Sequence, residues 1–349
     1  MPGVDVHTSL EPTTVAGVEL RNRIMMSPMC QHRANGDGKP NDWHIVHYGA
    51  RAVGRVGLIM LEDTAVTPDS RLGHGALGLY DDDQIAPFAR VIDFCHAAGA
   101  RVGVQINHAG RKSFLVDGAQ ADQPIVAPSA IPFNEDAAVP RAMEIDEIPT
   151  VVEAFVAAAR RGVEAGADFV EIHGAHGYLL HEFLSPVANL RDDAYGGSLL
   201  NRARLLLEVV EAVRKAVDDV PISVRISATD LVPGGNELAE AEIVAGLLRQ
   251  QQISLLDVSS GGLVAALIGA HSAEQPALAG ALRRATGLPT VAVGGISTIE
   301  DADRVLGDGT ADIVGVGRAL LRNPFWVREL EGSSVGIRPE PGETYRGME

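Results

Sequence analysis

Eight short, strongly apolar runs recur along the chain, and helical patterns fill the intervals between them. They read IMMSPM from Ile24, GLIMLEDT from Gly57, VGVQINH from Val102 and FVEIHGAH from Phe169. Then follow ISVRISAT from Ile222, LLDVSSG from Leu255, TVAVGG from Thr290 and DIVGVGR from Asp312. Most are apolar on consecutive residues rather than on alternate ones. That is the pattern of parallel strands covered on both faces. Between them, Ile85, Phe88, Ala89, Ile92 and Cys95 keep i, i+3, i+4 spacing, as do Val152, Phe155, Val156, Ala159 and Val163. Thr150 with Glu153 reads as a capping box opening the second of these helices. Gly99 and Gly166 sit where helices should stop.

Eight strands alternating with helices predict a (β/α)8 TIM barrel in the α/β class. A doubly wound open sheet is the rival. The count of eight, the absence of GxGxxG after the first strand and the lack of a Pro/Ser/Gly-rich linker all favour the barrel, a single domain over 1–349. Three segments stand outside the repeat. Residues 1–23 are expected to cap the barrel bottom. Residues 113–147, with Pro124, Pro128, Pro132 and Pro140, read as a long loop or lid over the active face after strand 3. The tail, 333–349, reads as irregular from Pro339.

With 46% apolar and 21% charged residues, global disorder is excluded. The sum of 29 Lys+Arg and 46 Asp+Glu is −17. Such a chain repels phosphate backbones and anionic bilayers, so neither nucleic acid nor membrane is an expected partner. No apolar run approaches the roughly 20 residues that span a bilayer. The N-terminus lacks a signal-peptide pattern. Two cysteines, Cys30 and Cys95, rule out a disulfide framework. The expectation is a soluble, cytoplasmic protein.

In this fold, catalytic residues collect at the C-terminal ends of strands. The predicted ends carry Ser27-Pro28-Met29-Cys30, then Glu62, Asp63 and Thr64, then Gln105, Asn107 and His108. His173, His176 and Tyr178 follow, then Arg225, Ser259, Ser260, Gly261 and Gly262. The last two ends are Gly294-Gly295 and Gly315 to Arg318. Those two read as a phosphate site. Glycines allow close backbone approach, a following helix start offers N–H groups, and Arg318 adds a cation. Tight turns alone would also use glycine, but two adjacent ends agree. For His173-Gly-Ala-His176 three readings stand level: Zn²⁺ ligands lacking an evident third partner, paired N–H donors to a substrate oxygen, or two structural histidines. Arg225 needs an anion, either Glu62, Glu171 or a cofactor that becomes anionic. Cys30 is either a small buried hydrophobe or a thiol that modulates redox chemistry.

Six motifs, collinear from Leu20 to the tail, resemble the old yellow enzymes, which are FMN-dependent ene-reductases. They are SPMC at 27–30, HAGRK at 108–112, HGAHGYLLHEFLSP at 173–186, RDDAYGGS at 191–198, VRIS at 224–227 and VGRALLRNPF at 316–325. The Cys after Ser-Pro-Met and the chain length are similar to the bacterial thermophilic-like subgroup. The resemblance implies that Ser27, Pro28, Met29 and Cys30 line the flavin ring, with Cys30 tuning its potential. Position 63 and Gln105 would contact the ring edge. Arg225 would sit near N1/O2 and stabilise the anionic reduced ring. Gly294, Gly295, Gly317 and Arg318 would hold the FMN phosphate. His173 and His176 would bind a substrate carbonyl oxygen, and Tyr178 would donate the proton. FMN bound tightly without a covalent link, NAD(P)H as hydride donor with NADPH favoured, and small enals or enones as substrates are implied as well.

The chain departs from that pattern at several positions. His32 stands where the subgroup usually has Tyr, at a second substrate contact. Asp63 replaces the usual Ala and adds an anion beside the flavin unless its side chain turns away. Leu199-Leu200 replaces the usual Pro-Glu. Tyr345, Arg346 and Gly347 resemble the subgroup's C-terminal motif. Its arginine reaches a neighbouring subunit's site, which implies a homodimer or homotetramer with Arg346 as a substrate contact. The alternative from another class is a metal-dependent hydrolase on the same barrel, with His173 and His176 as ligands.

Overall fold

The computed structural model describes residues 7–115, 125–265 and 274–335. Eight parallel strands form its centre: β1 (Ile24–Met26), β2 (Leu58–Ala65), β3 (Arg101–Asn107), β4 (Phe169–Gly174), β5 (Ile222–Ser227), β6 (Leu255–Ser259), β7 (Thr290–Val293) and β8 (Ile313–Val316). Each pairs with its sequence neighbours, and β1 pairs with both β8 and β2. The sheet therefore closes, as the alternating pattern requires. Helices Asp42–Val53, Ile85–Ala97, Ile148–Glu164, Leu199–Ala216, Leu238–Gln250, Gln275–Thr286, Ile299–Gly307 and Trp326–Val335 follow the strands in turn. This is the (β/α)8 barrel.

The consecutive apolar residues of each strand divide between two cores. Ile59, Leu61, Val104, Ile172 and Val258 face the helices, in the large outer core. Met25, Leu58, Met60, Phe169, Leu255, Val291 and Ile313 fill the barrel floor. Fully burying such a side chain contributes about 1.5–3 kcal/mol. Gly103 makes room for this layer, because a Cβ there would meet the Met60 sulfur at 2.6 Å and the Phe169 Cβ at 3.1 Å. A hairpin of Thr13–Val15 and Val18–Leu20 closes the floor from below, with Val15 and Leu20 packed in the same cluster. This hairpin lies within the 1–23 segment that precedes β1.

Gly99 and Gly166 follow helix ends with φ of +81° and +98°, as the sequence predicts. The capping box at Thr150 and Glu153 is not formed. The helix begins earlier, at Ile148, because Pro149 suits a first turn. A 3-10 turn over Ile145–Glu147 precedes it, and there Glu144 and Glu147 make the reciprocal cap. The loop after β3 holds a short parallel pairing of Val126–Ala127 with Arg141–Ala142. It sends Phe133 to the active face, 4.3 Å from Lys112 Nζ. Residues 1–6, 116–124 and 336–349, including Arg346, lie outside the described residues. Among those described, no helix is long and apolar enough to cross a membrane.

Candidate active site

The C-terminal strand ends open into a cavity of about 700 Å³. Ser27, Pro28, Met29, Cys30, Asp63, Gln105, His173, His176, Tyr178, Arg225, Gly294, Gly295, Gly317 and Arg318 all line it. The sequence reading picks these residues from seven separate strand ends, and barrel closure brings them to one cavity. His32 is not among the lining residues. It takes a left-handed φ of +53°, and its carbonyl packs where a Cβ on Gly75 would stand.

One end of the cavity is glycine-rich. Gly294 and Gly295 have φ of +107° and +69°, a region other residues avoid. Gly315 and Gly317 leave room for β1, since added Cβ atoms would meet Ser27 Oγ at 2.8 Å and Met29 Sδ at 3.3 Å. Arg318 and Arg322 close this end. The helix after β8 runs only Arg318–Arg322, so what this end offers an anion is backbone N–H groups and guanidinium charge rather than a long helix dipole.

The middle of the cavity rests on a buried charged layer. Arg225 on β5 stands opposite Asp257 on β6, with Nε 3.3 Å from Oδ2. Glu171 on β4 accepts from Gln105 Nε2 at 2.8 Å and Ser223 Oγ at 2.7 Å. Burial, then the charge of Asp257, push Glu171 up to about 8. One guanidinium cannot balance two carboxylates in a dry interior, so Glu171 keeps its proton at neutral pH. The ion-pair partner of Arg225 is therefore Asp257, which the sequence reading did not single out. Glu62 points elsewhere, accepting from Gln31 N at 2.6 Å and from the Tyr48 hydroxyl at 3.0 Å.

The far end carries the imidazoles and the phenol. His173 Nε2 and His176 Nδ1 lie 3.3 Å apart, within hydrogen-bond distance of each other at the cavity surface. The outer nitrogen of His176, Nε2, meets Ser259 Oγ at 2.7 Å. Burial, then Arg225, hold both rings well below the usual 6.5, so both are neutral. Among the described residues, no three His, Cys, Asp or Glu side chains are grouped to hold a metal ion. The turn that presents Tyr178 is anchored by His181, whose Nδ1 accepts from Gly177 N at 2.8 Å while Nε2 meets Asp230 at 2.8 Å. Gly177 has to be glycine, because a Cβ would strike the Gly262 carbonyl at 2.6 Å. The Tyr178 ring stacks edge-on to His173 with centroids 4.9 Å apart. Burial, then nearby Cys30 and Asp63, push its pKa well above 10, so the phenol keeps its proton.

Lys112, Ser259, Ser260, Gly262, Gln275 and Arg322 also line the cavity, though the sequence reading gave them no role. Lys112 belongs to the HAGRK motif, which was the one signal for it. Its Nζ donates to the carbonyls of His176 and Gly262 at 2.6 Å each, stapling the loops after β4 and β6. Burial pulls it down to about 7.

These features suit a flat, polar-edged ring carrying a phosphate. Ser27 Oγ and Asp63 Oδ1 are buried without hydrogen-bond partners and border the cavity, and Arg225 lines it while paired with Asp257. A volume of about 700 Å³ falls within the range of cofactor pockets. The glycine cradle with Arg318 fits a phosphate, and Gln105, Ser27 and Arg225 fit a ring edge that gains negative charge.

Comparison with known proteins agrees. The model of the NADH:flavin oxidoreductase / NADH oxidase family matches residues 10–334. An NADPH dehydrogenase of Geobacillus thermodenitrificans is 46% identical over 316 residues, 90% of this chain and 91% of its own. Another, of Halalkalibacterium halodurans, is 45% identical over 324 residues, 93% and 94% of the two chains. The structure of morphinone reductase superposes with a TM-score of 0.80 at 30% identity, covering 97% of this chain and 93% of that one. Barrel and cavity are thus those of an oxidoreductase that works with a flavin. The chain belongs to the NADH:flavin oxidoreductase / NADH oxidase family, and its chemistry is NAD(P)H-dependent flavin oxidoreduction.

Proposed function

We propose that the chain is an ene-reductase that saturates the C=C bond of small enals and enones. One observation carries the reading. Two neutral imidazoles with nitrogens 3.3 Å apart and a protonated phenol line the same cavity as Arg225. FMN, held non-covalently, supplies the chemistry of accepting a hydride from NADPH and passing it on. The names of the two dehydrogenase relatives support NADPH as the donor.

The protein's own part is placement and electrostatics. His173 Nε2–H and His176 Nδ1–H donate to the substrate's carbonyl oxygen, where negative charge grows as the β-carbon is reduced. One such donor is worth about 3–4 kcal/mol in the transition state. Tyr178 delivers a proton to the α-carbon. A phenol kept above its usual pKa is a weak acid toward water but a competent one toward an enolate-like carbon. Arg225 offsets charge at the ring edge, while Asp257 limits how much. Gly294, Gly295, Gly317 and Arg318 take the phosphate. The implied homodimer or homotetramer, with Arg346 reaching across, belongs to the same proposal.

An anaerobic absorbance titration tests it. The purified protein should be yellow, bleach with NADPH and recolour with cyclohexenone. Protein that stays colourless and takes up no added FMN overturns the whole reading. Bleaching without recolouring confines it to NADPH oxidation.

A further inference from the structure

Asp63 lines the cavity as a buried carboxyl, and the placement of FMN alone gives that acid no role. The register between β2 and β3 shifts between Leu61 and Thr64, so Glu62 and Asp63 occupy a bulge. Bulges beside active sites re-aim side chains. Here the two neighbours part. Glu62 turns to Gln31 N and Tyr48, while Asp63 lines the cavity. Asp63 is only 4% exposed, and its Oδ1 has no hydrogen-bond partner. Beside it lies Asn107 of β3, wholly buried, with neither amide atom in a hydrogen bond of ordinary geometry. A buried carboxyl with an open oxygen costs free energy unless a ligand or a proton satisfies it. The apolar side chains of Leu72, Ala76 and Ala109, with Cys30 and Tyr178 packed on them, keep the surroundings dry.

We infer that Asp63 is a proton-holding residue of the flavin site. Neutral, it presents an O–H donor to the ring edge; ionised, it sets an anion beside that edge and the Cys30 thiol. This rests on the FMN reading above and goes beyond it by giving the site an acid that the family pattern lacks at this position. The groups that face it are Cys30 from the loop after β1, Asn107 from β3, Tyr178 from the loop after β4 and Glu62 on its own strand. Burial, against the pull of the Asn107 amide, lifts its carboxyl to about 7. Its charge in turn raises Cys30 and Tyr178. Its proton comes from solvent, and no covalent bond to carbon is made or broken. Electrons added to the ring favour the neutral acid, so reduction draws one extra proton onto Asp63 wherever it is ionised beforehand.

The test compares wild type with Asp63→Asn and Asp63→Ala. The second restores the family's usual residue and guards against a misfolded first variant. Flavin midpoint potentials are measured from pH 6 to 8.5. The wild-type curve should join that of D63N at pH 6 and drop below it by a widening gap toward pH 8.5. Parallel curves overturn the inference. Alkylation of Cys30 by iodoacetamide at pH 8.5 gives a readout independent of electron transfer, Cys95 being buried. Both variants should react faster, about tenfold for each unit by which the thiol pKa falls. Equal rates overturn the facing of Asp63 and Cys30. Protein that holds no FMN would defeat the reading beneath and the flavin role of Asp63 with it, and the alkylation would still decide whether Asp63 faces Cys30.

Discussion

Ser259 Oγ stands 2.7 Å from Nε2 of His176, and Nδ1 of the same ring faces His173 Nε2 at 3.3 Å. A neutral imidazole has a single N–H, so its two nitrogens must take opposite roles. If Ser259 donates to Nε2, the proton sits on Nδ1, where it can reach a substrate oxygen. Ser259→Ala removes that constraint. Losing one oriented donor of about 1–2 kcal/mol should raise the KM for cyclohexenone about five- to thirtyfold. Reduction of the flavin by NADPH should keep its rate, as read by stopped-flow absorbance. An unaltered KM would show that Ser259 does not set the tautomer.

Tyr178→Phe separates the two half-reactions. In the proposed scheme the phenol has no part in hydride transfer from NADPH, but it is the proton source at the α-carbon. Anaerobic recolouring by cyclohexenone should slow about 10²–10⁴-fold, while bleaching by NADPH changes little. Equal slowing of both halves would take the acid role away from Tyr178 and leave it a packing residue against His173.

The barrel was legible because strand and helix periods differ and because fully covered strands stay apolar on consecutive residues, as in Ile24–Met26 of β1 and Leu58–Leu61 of β2. The helix start near Thr150 was misread because Ser/Thr-x-x-Glu spacing occurs by chance inside helices, and Pro149 outranked it. The cavity wall was legible at strand ends, where one rule of the fold collects chemistry. Long-range partners were not. Nothing in the runs containing Arg225 and Asp257 says that they face each other; that follows from the register between β5 and β6. Lys112 lay in a quoted motif, yet its partners are main-chain carbonyls, which carry no side-chain signature.

Lys112→Met tests the staple between the loops after β4 and β6. Methionine keeps the length of the stem and its packing under Phe133 and Tyr178. It leaves the carbonyls of His176 and Gly262 without their donor. Each deprived buried acceptor costs about 1–3 kcal/mol, offset in part because a buried ammonium is itself costly. The variant should lose about 2–4 kcal/mol, seen as a lower urea midpoint with the slope unchanged. The KM for cyclohexenone should rise too, since His176 is no longer held. A midpoint equal to wild type would mean that the two loops are fixed by other contacts.

Glu171→Gln should make stability less sensitive to pH. In the folded protein Glu171 titrates at about 8, against the usual 4.5 of the unfolded chain. Its folded value is the higher one, so its contribution is fully present below pH 4.5 and is lost as pH rises toward 8, where the unfolded state ionises more readily than the folded one. Glutamine has no proton to lose. Its oxygen can still accept from Gln105, and its amide can donate to Ser223, so the local bonds survive in altered polarity. The Tm of the variant relative to wild type should therefore climb between pH 5 and pH 8. Arg225 would then face Asp257 alone, with the same ion pair in both proteins at neutral pH. An offset in Tm that is the same at pH 5 and pH 8 would mean that Glu171 is ionised in the folded barrel. In that case Arg225 would face two carboxylates at once, and its capacity to offset negative charge on a bound ring would be spent beforehand.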